Sequence, residues 1–336
     1  MIPQTETIAH TENWQNVLAN GIRTPQALLD YVGLGDYTDL LCEAAHQEFA
    51  VRIPRPFADK IERGKPDDPL LLQALPLVTE MLEQPGFNKD PLAEQGSSPV
   101  PGILHKYHGR ALLIVTGACA IHCRYCFRRH FPYNEHSKPQ RWHEALEYIR
   151  QTESLNEIIL SGGDPLSLGD KQLADLTREL AAIPHLKRLR IHTRLPLMIP
   201  QRVTDELIAW LSQSRLQATL VLHCNHANEI CPQTAQAITK LRQAGIWVLN
   251  QAVLLKGIND DIDSQCQLSE ALFSAGALPY YLHLLDPVAG AAHFAVETDQ
   301  AAKLYQQMLA SLPGYLVPRL VREIAGEASK TPFYKI

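Results

Sequence analysis

No apolar run in this chain of 336 residues approaches the length needed to cross a bilayer, so a membrane-spanning helix is not expected. Positive charge is not in surplus either. Lysine and arginine number 31 against 36 aspartates and glutamates, a net of −5 that offers no general attraction for nucleic acid or an acidic membrane. The stretch Met1 to His10 lacks both a basic start and an apolar centre and does not read as a secretion leader. Cysteines number only seven, an odd count with three clustered, which argues against a disulfide framework and for reduced thiols in a cytoplasmic setting. No Walker loop, dinucleotide fingerprint, internal repeat or low-complexity tract is present.

The composition, 46% hydrophobic and 20% charged, is that of an ordinary globular protein long enough to bury a large core. Residues 1–102 carry proline-broken helical patterns, such as Trp14, Val17 and Leu18, then Ala27, Leu28, Leu29 and Val32 behind the Thr24-Pro25 start signal. Gln95 to Gly102 reads as a linker. From there, short β-rich runs alternate with amphipathic stretches. Strands are predicted at 111–116, 157–160, 188–193, 218–223, 247–253 and 280–285, and helices near 142–151, 171–182, 204–212, 233–244 and 265–275. That rhythm indicates right-handed βαβ units around a parallel sheet, with function at the carboxyl ends of the strands; the order alone leaves open an open sheet or a partial barrel.

Polar or reactive groups do fall at those ends: Thr193-Arg194, His223, Gln251 and Asp286 among them. The first end carries Cys119-Ala-Ile-His-Cys123-Arg-Tyr-Cys126, and the second Ser161-Gly162-Gly163-Asp164-Pro165. Three thiols at spacings of four and three can converge on an iron–sulfur cluster that leaves one iron unligated. The competing reading is a structural zinc site, its fourth ligand drawn from His122, His130 or His136, because Cys42, Cys224, Cys231 and Cys266 lie far off in sequence. The glycine pair lets a backbone approach something closely, and taken singly it is as readily an ordinary βα turn.

Together the C-x-x-x-C-x-x-C loop and the Gly-Gly-acidic-Pro segment resemble the radical S-adenosylmethionine superfamily. Tyr107-His-Gly-Arg110, Cys126-Phe-Arg128-Arg129, Asn250-Gln251 to Gly257, and Asp286 followed by His293-Phe294 sharpen this to a resemblance to lysine 2,3-aminomutases. The resemblance implies a partial (β/α)6 barrel of α/β class over 103–285, a helical amino-terminal region over 1–102, and a segment over 286–336 carrying substrate and cofactor residues. It implies a [4Fe-4S] cluster on Cys119, Cys123 and Cys126, and S-adenosylmethionine held by Ser161, Gly162, Gly163 and Asp164. It also implies pyridoxal 5'-phosphate joined to Lys330, with Arg110 for its phosphate and Thr193, Arg194, His223 and Gln251 lining the cofactors.

By the same resemblance Arg128 takes the substrate carboxylate, and Asp286 and Glu323 take the terminal ammonium of L-lysine. The expected reaction is 2,3-amino migration giving β-lysine, the R enantiomer by resemblance to the family's short bacterial form, which serves a ligase pathway modifying elongation factor P. A reducing electron donor is implied too. Two features depart from the family pattern: Gly326 stands alone before Lys330 where a run of glycines is usual, and Glu323 replaces an aspartate. No cysteine follows Cys266, so any homo-oligomer is expected without an intersubunit zinc. The alternatives are a radical enzyme of the same barrel acting on another substrate, or a non-catalytic zinc-stabilised α/β protein.

Overall fold

The computed structural model describes residues 13–136 and 142–333; the stretch Met1 to His10, read for a leader, lies outside them. Nine strands form one sheet in sequential order: β1 (Ile103–Tyr107), β2 (Arg110–Thr116), β3 (Glu157–Gly162), β4 (Arg188–Thr193), β5 (Gln217–Leu222), β6 (Trp247–Leu254), β7 (Leu278–Leu284), β8 (Arg319–Arg322) and β9 (Thr331–Pro332). Strands β2 to β8 run parallel, while β1 and β9 pair antiparallel on the two edges. No backbone ladder joins β1 to β9 among the described residues, so the barrel is partial, as the family resemblance implied and the order of elements alone left open.

Helices cover the outside because their apolar positions recur every three or four residues. In Asp170–Ala181, Leu173, Leu176, Thr177 and Leu180 are buried, and in Pro232–Gln243, Thr234, Ala237, Ile238 and Leu241 are. Starts are set by side-chain caps: Thr204 Oγ1 accepts from Leu207 N at 3.0 Å and Asp261 Oδ1 from Ser264 N at 2.9 Å. All six predicted strands and all five predicted helices are present within a few residues. The pattern also runs one unit further than expected, because the helix Thr298–Ser311, with Ala301, Leu304, Tyr305 and Met308 buried, leads into β8 beside β7.

The amino-terminal helices are short, the longest of the five up to Leu72 being the seven residues of Pro25–Tyr31. Such pieces owe their stability to packing rather than propensity, and Leu28, Leu29, Phe57, Leu70 and Leu71 are sealed in the common core. Among the described residues no helix is long and apolar enough to cross a membrane.

Candidate active site

The cysteine loop leaves the carboxyl end of β2 and is gripped from outside by the amino-terminal layer. His122 N bonds Arg52 O at 3.0 Å and Arg124 N bonds Gln73 O at 2.9 Å. Arg124 is completely buried; its Nε and Nη2 donate to the two oxygens of Glu80 at 2.8 and 2.6 Å, and its Nη1 to Phe49 O. A buried pair of this kind fixes a loop because losing either partner strands the other charge.

The histidines that might have completed a zinc site are engaged with backbone. His122 Nδ1 lies 2.7 Å from Ala50 O, His130 Nε2 3.3 Å from Ala289 O, and His136 Nδ1 accepts from Gly102 N at 3.3 Å. Among the described residues no three His, Cys, Asp or Glu side chains are grouped as a single metal ion requires. A cuboidal cluster takes one thiolate per iron and needs no such convergence. Burial pushes the Cys126 thiol up to about 11, with the charge of Cys123 adding to it, and burial raises Cys119 well up, reinforced by Cys126, Asp164 and Cys123. Mutually opposed, buried thiols of this kind are the donor set that cationic iron would relieve.

At the end of β3 the glycine pair has a specific cause. A Cβ on Gly162, whose φ is +123°, would stand 2.3 Å from Thr116 O, and one on Gly163 2.4 Å from Ala118 O. The turn is therefore pressed against the backbone entering the cysteine loop, with Gly163 N and Asp164 N each donating across 2.8 Å to those two carbonyls. Asp164 is buried and accepts from Thr193 Oγ1 at 2.7 Å and from the amides of Arg194, Leu195 and Leu166 at 2.7, 2.9 and 3.0 Å. The side chains of Asp164 and Thr193 thus tie the ends of β3 and β4 together. Arg194 reaches back to the cysteine loop: Nη1 lies 2.8 Å from Cys123 Sγ and 2.7 Å from Tyr125 Oη, and Nη2 bonds Gln73 and Glu229.

Across the barrel mouth runs a line of charge from the cysteine loop to Lys330. Arg128 Nη1 donates to Ser161 Oγ at 3.2 Å, while its Nε and Nη2 bind both oxygens of Glu94 at 2.7 and 2.8 Å. Glu94 Oε1 lies 3.3 Å from Lys106 Nζ, which bonds Glu323 Oε1 at 3.0 Å, and Lys330 Nζ bonds Glu323 Oε2 at 2.7 Å. Lys106 is on β1 and Glu323 follows β8, so this pair joins the two edges of the sheet that no backbone ladder joins. Burial alone would raise the Glu323 carboxyl, but the Lys330 and Lys106 ammoniums outweigh it and hold it at about 2. Asp286, in the loop after β7, goes the other way: burial, then the charge of Glu323, lifts it to about 7.

That loop is braced by Asn88, whose N bonds Pro287 O at 2.9 Å and whose O accepts from Ala289 N at 2.8 Å. Near Lys330 stand three imidazoles, His283 buried and His192 and His223 half-buried. Burial holds His223 down at about 3 and His192 and His283 well below the usual histidine range, with the charge of Lys330 adding in each case. Gln251 Nε2 lies 2.6 Å from His223 Nε2. The Nε2 atoms of His192 and His283 and Oδ1 of Asp286 are buried without a protein partner, as lining for a polar organic cofactor and substrate would be. Arg110 stacks 4.6 Å above the Tyr107 ring.

Of the expected residues, Cys123 and Arg194 meet directly, as do Arg128 with Ser161, His223 with Gln251, and Lys330 with Glu323. Both oxygens of Glu323 are taken by lysines of the chain, whereas Asp286 keeps one oxygen unpartnered. Sequence reasoning missed Glu94, Lys106, Glu229, His192 and His283. His192 could have been found from strand alternation, since it lies two residues before Arg194 at a strand end already singled out, whereas His283, three residues before Asp286, has no such register.

Residues 113–264 match the model of the Radical SAM superfamily. The chain is 51% identical to L-lysine 2,3-aminomutase of Escherichia coli strain K12 over 96% of its own length and 94% of that protein. It is 48% identical to the enzyme of the same name from Haemophilus influenzae, covering 98% of both chains, and 33% identical to that of Clostridium subterminale, covering 96% of this chain and 78% of that one. Radical S-adenosylmethionine enzymes use a [4Fe-4S] cluster and S-adenosylmethionine, and lysine 2,3-aminomutases use pyridoxal phosphate as well. The zinc-stabilised, non-catalytic alternative is thereby set aside, and the thiol loop, the glycine turn and the lysine at the barrel mouth fall into one frame: the chain belongs to the L-lysine 2,3-aminomutase family of isomerases within the radical S-adenosylmethionine superfamily.

Proposed function

We propose that the protein moves the 2-amino group of L-lysine to carbon 3, with pyridoxal phosphate on Lys330 and the cluster on Cys119, Cys123 and Cys126. The observation that carries this reading is the line of charge from Arg128, beside the cysteine loop, to Lys330, set among buried polar atoms that lack protein partners. When bound, the cluster and S-adenosylmethionine supply an electron and a carbon radical, and pyridoxal phosphate supplies a carbonyl carbon for amines.

The residues of the chain divide the remaining work. Ser161, Gly162 and Gly163 form the turn beside the cluster against which S-adenosylmethionine would lie, a turn that Asp164 and Thr193 keep rigid. Arg128, held flat by Glu94 and Ser161, presents its guanidinium to the substrate carboxylate. Asp286 offers its unpartnered oxygen to the terminal ammonium. The neutral imidazoles of His192, His223 and His283 accept or donate hydrogen bonds without adding charge, Gln251 orients His223, and Arg110 is placed for a phosphate. Arg194 acts on the cluster side, through Cys123.

The test is anaerobic reconstitution with iron, sulfide and pyridoxal phosphate, followed by reduction and incubation with L-lysine and S-adenosylmethionine. β-Lysine is the expected product, and its absence from cluster-competent enzyme would refute the reading. Resemblance to the short bacterial form further supports delivery of (R)-β-lysine to the ligase pathway that modifies elongation factor P. Chiral analysis of the product and its transfer to that protein by the ligase test this step.

A further inference from the structure

The family pattern assigns two acidic residues to the substrate's terminal ammonium, and here the geometry separates them. Both oxygens of Glu323 are occupied by ammoniums of the chain, Lys106 at 3.0 Å and Lys330 at 2.7 Å. Asp286 is half-buried, with its Oδ1 shut from solvent and unpartnered. Glu323 also has one methylene more than the aspartate usual at its position, and that added reach is spent on Lys330, seven residues along the chain.

Resting on the function proposed above, we propose that Glu323 serves the lysine of the chain and not the lysine of the substrate: it is the seat of Lys330 once Lys330 is displaced from the cofactor, and Asp286 alone holds the substrate's terminal ammonium. Exchange of Lys330 for the substrate α-amine forms one carbon–nitrogen bond and breaks another. The protons that the incoming α-ammonium sheds as it takes the place of Lys330 are those that the departing Lys330 nitrogen takes up, so the exchange ends with a new ammonium that needs a counter-charge. Glu323 supplies it. Lys106 keeps the carboxylate aimed by holding its other oxygen and is a positioning residue. Because one exchange turns the substrate's α-ammonium into the ammonium of Lys330, the total charge of the site is unchanged, and a second free carboxylate for the tail is not required.

The experiment compares wild type, Glu323→Gln, Glu323→Asp and Asp286→Asn, all reconstituted with cluster and pyridoxal phosphate. The first readout is the rate at which added L-lysine displaces pyridoxal phosphate from Lys330, followed as loss of the label that borohydride traps there. The second is KM against kcat for L-lysine. Wild type that traps no label on Lys330, or makes no β-lysine, would sink the proposed function itself before any variant is compared. With wild type behaving as proposed, Glu323→Gln is expected to slow that displacement about tenfold, because the departing ammonium of Lys330 has lost its partner. Its kcat falls while KM stays within about threefold, whereas Asp286→Asn raises KM about tenfold or more. Glu323→Asp, which retains the charge on a shorter arm, lowers kcat without improving KM. The inference is overturned by a tenfold rise of KM in Glu323→Gln, by an unchanged rate of displacement, or by tighter lysine binding in Glu323→Asp.

Discussion

Arg194 Nη1 stands 2.8 Å from Cys123 Sγ, while Nη2 of the same guanidinium is held by Glu229 at 2.9 Å and Gln73 at 2.6 Å. A buried cation bonded to a ligating sulfur stabilises the more negative, reduced cluster and raises its potential. Arg194→Lys keeps the charge but loses the fork that reaches both sides. The expected outcome is a cluster that assembles yet reduces at a more negative potential, with slower cleavage of S-adenosylmethionine. Spectroelectrochemical titration checks it, and an unchanged potential would show that the contact has no electronic effect.

Asp286 sets a pH dependence. With its carboxyl at about 7, the group is neutral in acid and ionised above, so KM for L-lysine should fall as pH rises through about 7. In Asp286→Asn that step disappears. Kinetics across pH 6 to 8, on the order of one unit either side of the midpoint, are the check.

The same groups bias stability in opposite directions. Asp286 is raised from 3.8 to about 7, so the folded chain binds the extra proton in that window. Its contribution is fully present below 3.8 and is lost as pH rises through about 7. Glu323 is depressed from 4.5 to about 2, so its contribution is present above 4.5 and lost as pH falls through about 2. Denaturant titrations of Asp286→Asn and Glu323→Gln should therefore differ from wild type with opposite pH trends.

Gly162 and Gly163 leave no room for a methyl group. Alanine at either position meets a carbonyl oxygen at 2.3 or 2.4 Å, and at Gly162 also a disfavoured φ of +123°. A loss of about 1–3 kcal/mol from backbone strain alone is expected, with poor iron incorporation because the turn can no longer rest on the cysteine loop. Iron and sulfide content after reconstitution, with thermal melting, measures both.

Glu94 is buried on Arg128, its charge favoured by that partner despite the burial that opposes it. Glu94→Gln should cost about 3–5 kcal/mol, since an unpaired guanidinium stays behind, and should raise KM for L-lysine as Arg128 loses its aim. Glu94→Gln combined with Arg128→Met should regain much of the stability and none of the binding. A double-mutant cycle reports the coupling.

How much of this was legible follows from where the partners lie in sequence. The thiol loop is local, so its spacing carries its chemistry, and helix stripes and strand runs placed nearly all of the barrel for the same reason. The glycine pair was visible, but its physical cause, the backbone of Thr116 and Ala118, lies on another strand. Glu94 and Lys106 could not be read, because Lys106 finds Glu323 217 residues away and Glu94 sits in a stretch with no periodicity. Glu323 matches the family's second acidic position for the substrate by resemblance alone; only the positions of Lys106 and Lys330 show that both its oxygens are taken.

The bond between Lys106 and Glu323 makes the barrel a belt whose buckle is the active site. Every other neighbouring pair of strands is fastened by backbone hydrogen bonds, which any sequence could make; this junction is fastened by side chains that also face the chemistry. A chain whose two edges have not met would possess its strands and its cysteine loop but would leave Glu323 without the lysine that aims it. Completion of the fold and readiness of the site are then a single event, so quality control over one is quality control over the other.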